Sequence, residues 1–408
     1  MASRLPDRVA STVEAVKDIV EHAPVGAARS LDAVEALRPA WERIRFERID
    51  ADIDFYLAVV RSRGHVLRPH VVLLRQDAGA EAIAVARVED VELTSSIGYR
   101  VVARPCVRSL TVVPEGVVGA DSPESARRIV EELLACLARG EADVALLPAL
   151  RTDSHLYRAA TEQPSALCRE RFRETTLHHR LRLPTSLDEL LGSKSRKSRG
   201  NLKRQDAHFR QAHPDVMLEV LRHPGEEERL FRDLDAVAAK TYQRGLGVSF
   251  RDTEEQRSLI RLGLARGWYR AYVLSVGGSP IAFWPGFAYN GTFFLGTPGY
   301  DPAYEGYNVG TFLLLRVIED LCADESVAAL DYGFGDADYK RRFGNECWEE
   351  ADVLVFAPKL RAARINLVRT GVTGTTRLAK RVLGGERADR IKRRWRGRLA
   401  RREDSAQG

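Results

Sequence analysis

The stretch "GTPGYDPAYEGYNVGTFLLL" (296–315) closes a run of strand-forming residues and opens an apolar helix. It places Gly306, Asn308 and Gly310 in a strand-to-helix turn, where unpaired backbone N–H groups and the positive end of a helix can face an anion. The backbone amides of Asn308, Val309, Gly310 and Thr311 are therefore candidates for holding a phosphate, although such a turn also reads as a tight connection. A second anion-directed feature is "SKSRKSRGNLKRQ" (193–205). On a helix, Lys194, Lys197, Asn201 and Arg204 share one stripe, and Arg196, Arg199 and Lys203 form the next. Like charges at that spacing repel by a few tenths of a kcal/mol per pair unless something compensates. Lys197 and Arg204 are thus candidate contacts to a ligand carrying phosphates or carboxylates. A solvated helix face, with acids supplied from another element, is the competing reading. A nucleic-acid clamp fits less well, because no aromatic residues interleave for base stacking.

The 408 residues are too many for one ordinary core and suggest two domains. With 44% hydrophobic and 29% charged residues the composition is that of a soluble globular chain, not a disordered or fibrous one. The longest apolar runs, such as "VALLPAL" (144–150), are far shorter than a bilayer span, and no signal-peptide core opens the sequence, so a cytoplasmic location is expected. Five scattered cysteines, none spaced Cys-x-x-Cys, argue against a disulfide framework or a zinc site. His178 and His179 sit in a strand, where alternation sends the two rings to opposite faces and opposes a shared metal; no metal is expected. The chain lacks a Gly-x-Ser-x-Gly elbow, a His-Glu-x-x-His motif, a Walker loop and a complete Gly-x-Gly-x-x-Gly. The net charge of +6 is unevenly placed: residues 359–408 carry 16 Lys/Arg against 4 Asp/Glu, which leaves residues 1–358 at −6.

The elements that must position these groups repeat along the chain. A peripheral helix (Leu5 to Glu21) and linker precede two helical stretches from Leu31, the first capped by Ser30. Strands at 70–77, 82–93, 107–113 and 144–150 follow, the last two flanking a helix from Pro123 to Leu137 with Ser122 as its cap. The second half restarts with a strand (175–183), a short helix and a long polar helix (194–212). Helices near 226–243 and 253–265 lead into a three-strand meander with turns at Gly277-Gly278 and Asn290-Gly291. A helix from about Gly310, a strand (327–333), the short segment "DADYKRRFGNE" and a strand (351–358) complete the order. Trp268, Tyr269, Tyr272, Trp284 and Phe287 read as core or pocket wall.

Three stretches together, "SKSRKSRGNLKRQ", residues 277–320 and "LDYGFGDADYKRRFGNE" (330–346), resemble the GNAT N-acetyltransferases. The resemblance is to their branch associated with cellulose and exopolysaccharide biosynthesis, related to the Fem peptidyltransferases that use aminoacyl-tRNA. It covers about residues 190–350, while the first half matches only in element order. It implies an α/β (α+β) fold of two tandem GNAT-like domains, each a mixed, largely antiparallel sheet flanked by helices, plus a basic C-terminal helical tail. The expected divisions are 1–30, 31–175 (degenerate), 176–358 (catalytic) and 359–408. The expected activity is N-acyl transfer from acetyl-CoA or another acyl-CoA to an amine on a sugar, amino acid or peptide.

Such a reaction needs a held acyl carrier, a group to move the amine's proton and donors facing the oxyanion. Tyr339 and Asp336 are candidate acid–base groups, and Lys340 could steady negative charge. Two departures stand out. Glu305 precedes the turn where the family's pyrophosphate loop carries Gln or Arg, and the first half's "TVVPEGVVGADSPESARR" places Pro and acids where a cradle would be. Glu305 keeps open a non-catalytic scaffold for an anionic partner, and a tRNA-borne donor would bring nucleic acid back as a partner. Finally, residues 377–402 space Leu378, Val382, Ile391, Trp395 and Leu399 among many arginines. They read either as a basic amphipathic helix on an anionic membrane surface or as a solubilising tail.

Overall fold

The computed structural model describes residues 27–75, 81–97, 100–241 and 249–383. The expected helix at Leu5 to Glu21 and the tail beyond residue 383 lie outside them. In chain order the elements are β1 (Ala27–Ala28), α1 (Leu31–Glu35), α2 (Arg38–Trp41), a 3-10 turn, α3 (Ile53–Ser62), β2 (Val66–Arg75), β3 (Glu81–Glu92), β4 (Ser95–Ile97), β5 (Arg100–Ala103), β6 (Cys106–Val118), α4 (Pro123–Arg139), β7 (Val144–Arg151) and α5 (His155–Glu162). The second series is β8 (Thr175–Arg182), α6 (Leu187–Gly192), α7 (Arg196–Ala212), β9 (Met217–Leu221), α8 (Glu227–Ala238), α9 (Glu254–Ala265), β10 (Tyr269–Val276), β11 (Ser279–Tyr289), β12 (Thr292–Leu295), β13 (Gly299–Tyr300), a 3-10 turn (Pro302–Tyr307), α10 (Val309–Ala323), β14 (Ala329–Phe334), α11 (Asp338–Phe343), β15 (Glu346–Phe356) and α12 (Leu360–Leu383).

One sheet runs through both halves in the order β1-β2-β3-β6-β7-β15-β8-β14-β12-β11-β10-β9, with β13 on the edge of β11. Within each half three successive antiparallel pairs lead to one parallel pair, β6 with β7 and β12 with β14, bridged by α4 and α10 respectively. The halves then exchange a strand. β8, which follows the first half in sequence, pairs with β14, whereas β15, the last strand, pairs with β7, and β8 and β15 pair with each other. The last third of β15 consequently belongs to the first half's core, where Val353, Val355 and Phe356 pack with Leu110, Ile129 and Leu133.

Local sequence explains the element ends. Gly277 and Gly278, and Asn290 and Gly291, all adopt positive φ and close two-residue hairpins between β10, β11 and β12, as the type I′ signals predict. Ser30, Ser122, Ser154, Ser186 and Ser195 each accept a backbone N–H at a helix start. Each half buries apolar side chains on both sheet faces. In the second half α10 covers one face with Leu313, Leu314 and Ile318, while Phe231 and Leu234 of α8 cover the other. The halves are locked together across α3 and α9 by Phe55 against Phe287 (centroids 5.4 Å, edge-on) and Arg63 on Glu255 (2.8 Å). Asn290 adds a hydrogen bond to the Phe46 carbonyl (2.6 Å).

Candidate active site

Parallel pairing of β12 with β14 ends at Phe294 and Asp331, so the two strands part beyond that point. On the α10 face of this gap lie Trp284, Tyr332 and Tyr339. The Tyr339 ring stands edge-on to both Trp284 (5.8 Å) and Tyr332 (5.9 Å). Trp284 is only 3% exposed and Tyr332 4%, yet Trp284 Nε1 and the Tyr332 hydroxyl are sealed from solvent and have no hydrogen-bond partner among the described residues. Leaving a buried donor unmade costs about 1–3 kcal/mol. Two such donors around one tyrosine are the arrangement expected where a ligand oxygen completes the site. Burial alone pushes the Tyr339 phenol up to about 12, so near neutral pH it is a proton donor.

The turn before α10 adjoins the same core, with Tyr304 and Tyr307 packed on the cluster that holds Trp284 and Tyr332. Asn308 occupies the left-handed region (φ 55°, ψ 39°), a conformation asparagine tolerates, and its side chain does not cap the helix. The Asn308 and Thr311 amides are used internally, donating to Glu305 O and Asn308 O (3.0 Å each). Among the described residues, the amides of Val309 and Gly310 find no backbone acceptor. Gly310 is needed neither for a positive φ nor for packing, since a Cβ there would have its nearest neighbour, Tyr300, at 3.9 Å. Its missing side chain leaves room beside the Gly310 amide, whereas Val309 is buried, only 1% exposed. Glu305 is exposed.

Helix α7 packs alongside this turn. Near its start Ser198 accepts from Arg342 of α11 (3.2 Å); further on His208 stacks on Tyr307 (5.3 Å) and Phe209 packs on Phe312 (4.6 Å), beside the turn. Lys197 and Arg204 are exposed on it, and no acid pairs with either among the described residues. Burial, reinforced by the neighbouring Arg342, lowers the Lys194 ammonium below its ordinary value.

The other sequence candidates are differently placed. Lys340 is buried, its ammonium donating to Phe334 O (2.6 Å) and Gly333 O (3.2 Å), where it braces the loop after β14. Burial lowers its pKa, against the pull of Asp331 and Asp336. Asp336 is held by Arg341 (2.5 Å), with His179 Nε2 at 3.5 Å. Tyr339 thus packs its ring against the two residues that carry the unpaired donors, while Lys340 and Asp336 hold partners in and around that loop.

Sequence reading passed over the opposite face of the gap. There His178 Nε2 bonds Asp331 (2.8 Å) and its Nδ1 bonds Glu350 (2.9 Å), while the imidazole stacks on Trp348 (4.4 Å, 11°). All three charged residues are buried. Burial opposes the charged imidazole, but the hydrogen bonds from Asp331 and Glu350 outweigh it and raise His178 to about 9. For Asp331, burial acts upward, and the bonds from His178 and Gly333 N bring the carboxyl below its usual range. The signal was an acid inside the otherwise apolar strand "VAALDYG"; its histidine partner lies 153 residues away. On this face, too, a cavity of about 310 Å³ opens between the halves, lined by Phe55, Phe250, Tyr269, Phe287, Gly296 and Thr297.

His70, Cys136 and Glu141 bring ligand atoms within 4.8 Å of one another in the first half. Glu141 already pairs with Arg29 (3.0 Å), Arg68 (2.9 Å) and Arg139 (3.0 Å), and three guanidinium groups oppose a further cation. His70 is lowered to about 4 by burial and by Arg68. The set does not suit a metal.

Residues 196–341, the segment that holds α7, the turn before α10 and Tyr339, match the acetyltransferase (GNAT) domain family. The chain is similar in fold to FemX, with a TM-score of 0.53 at 9% identity over 88% of this chain and 98% of that one, which fits two GNAT-like repeats. It also aligns with the C-terminal domain of a putative lysylphosphatidylglycerol synthetase from Agrobacterium fabrum (TM-score 0.45, 13% identity, 89% and 97% covered). A third alignment is to a probable N-acyltransferase from Enterococcus faecalis (0.38, 9%, 83% and 73%). No curated protein matches the sequence.

Proposed function

We propose that the second half is an N-acyltransferase that takes an acyl group, acetyl in the simplest case, from an acyl-CoA and delivers it to an amine of a sugar, amino acid or peptide. The observation that carries this reading is the pair of sealed, unpartnered donors, Trp284 Nε1 and the Tyr332 hydroxyl, beside Tyr339 in the gap between β12 and β14. An acyl carbonyl oxygen is the acceptor they lack, and the same donors stabilise the oxyanion when the amine attacks. The Val309 and Gly310 amides and the cations of α7 suit the donor's phosphates. As the C–N bond forms and the C–S bond breaks, Tyr339 protonates the departing sulfur, while the attacking amine gives its proton to solvent water. The phenol is then reprotonated from solvent.

A second reading, transfer from an aminoacyl-tRNA, is favoured by one observation: Lys197, Lys203 and Arg204 present exposed charge on α7 with no acid paired to them among the described residues. Calorimetric titration with acetyl-CoA, a medium-chain acyl-CoA, free CoA, and a charged and an uncharged tRNA separates the two. CoA binding that Gly310→Asp abolishes supports the first. Binding of charged tRNA alone replaces it with the second, and binding of neither removes both.

A further inference from the structure

Helix α12 packs on the first half through Ala362, Asn366 and Val372, with Asn366 Nδ2 donating to the carbonyls of Leu167 (2.9 Å) and Arg169 (3.0 Å). Its outer side is apolar where solvent would favour polar residues. Leu360 is 81% exposed, Leu367 72% and Leu378 64%. At 100° per residue these three fall within about 20° of a single line some ~27 Å long. Arg364 lies beside that line, exposed and without an acidic partner among the described residues, and Arg361 flanks it. Over its 24 residues α12 carries six Lys/Arg and no Asp/Glu. The neighbouring acids are already paired: Asp143 with Arg361 (3.7 Å), Glu170 with Arg369 (2.9 Å) and Glu92 with Arg104 (3.7 Å). The β4–β5 ribbon, which packs against α12, exposes Ile97, Val101 and Val102. The sequence after α12, residues 384–408, adds nine Lys/Arg against four Asp/Glu.

We propose that the outer face of α12 is a docking surface for an anionic lipid bilayer, with the leucine line set into the boundary between headgroups and acyl chains and the arginines on lipid phosphates. An apolar stripe flanked by charge of one sign is the pattern of an interfacial helix. A bilayer answers both features, whereas an apolar partner groove would leave the cations unbalanced. Among the described residues no helix is long and apolar enough to cross a membrane, so the contact is peripheral. The proposal is independent of the acyl-transfer reading, since α12 takes no part in the gap between β12 and β14.

The test is sedimentation of the full chain with vesicles of phosphatidylcholine alone or with about one-third phosphatidylglycerol at low and high salt. The expected result is at least tenfold stronger partition onto the anionic vesicles. Leu360→Glu, Leu367→Glu and Leu378→Glu combined should lose that tenfold, and Arg364→Glu should lose several-fold, with melting temperatures unchanged because all four side chains are exposed. Equal partition onto both vesicle types overturns the proposal. So does a triple variant that binds like the wild type while truncation after residue 383 releases the protein, for then the terminal segment alone would carry the contact. A concentration-dependent dimer seen without lipid and dissolved by the triple variant would make a second copy the occupant instead.

Discussion

Helices α4 and α10 hold the same place in their halves, each crossing from one strand of a parallel pair to the other, and they begin in opposite ways. At α4, Ser122 is extended and forms a reciprocal capping box with Ser125, and Pro123 removes one donor outright. At α10, Asn308 is left-handed, its side chain caps nothing, and the Val309 and Gly310 amides find no backbone acceptor among the described residues. The first start is closed by its own chain, while the second is left for something else to close. A repeated fold can thus begin the same helix in two ways, one capped and one uncapped, by changing a few residues at one helix end.

The largest effect that could break this contrast is in ligand binding. Gly310→Asp should weaken acyl-CoA binding more than 100-fold, equivalent to about 2.7 kcal/mol or more, by placing a carboxylate against the donor's phosphates. The melting temperature should hardly change, because the position has room for a side chain. Calorimetry with acetyl-CoA reads the first part and a thermal melt the second; if binding survives, the open turn is not the anion site.

The next effect concerns the seam between the halves. Because His178 titrates near 9 in the fold and near 6.5 when unfolded, its network contributes fully below pH 6.5 and the contribution is lost as pH rises through 9. That amounts to about 3 kcal/mol as an order of magnitude. Denaturant titrations from pH 6 to 10 should show His178→Gln losing this pH dependence, and parallel curves for the two proteins would remove the charged imidazole from the account.

Smaller differences sharpen the comparison. Ser122→Ala should cost about 1 kcal/mol of stability and leave acyl-CoA binding untouched; a loss of binding would mean that the first half also takes part. Tyr332→Phe should leave the ligand-free protein as stable as before or slightly more so, by up to about 1 kcal/mol, because it removes an unsatisfied hydroxyl. It should at the same time slow acyl transfer, which a thiol-release assay measures. A marked loss of stability would show that the hydroxyl serves the fold, not a ligand.

Much of the site was legible locally. The turn before α10 announced itself by glycine and asparagine ahead of an apolar run, and the type I′ hairpins and serine caps were read correctly because their determinants lie within four residues. Trp284 was counted only as core or pocket wall, since nothing in its surroundings along the chain reveals that its indole N–H lacks an acceptor. Lys340 and Asp336 were singled out for their residue types, but Lys340 braces the Gly333 and Phe334 carbonyls and Asp336 holds Arg341.

By itself, then, the sequence determined the order of the main elements, the helix starts at Ser30 and Ser122 and the hairpin turns, all governed by backbone conformations of a few adjacent residues; of the four amides expected to form a cradle at 308–311, those of Asn308 and Thr311 are used internally. The tertiary structure alone decided that β8 and β15 trade places between the halves and that His178, Asp331 and Glu350 meet on three neighbouring strands. It also left two donors beside Tyr339 without partners. Pairings between residues 150 and more apart depend on how two sheets join into one, a choice made by the packing of whole faces and not by any local pattern.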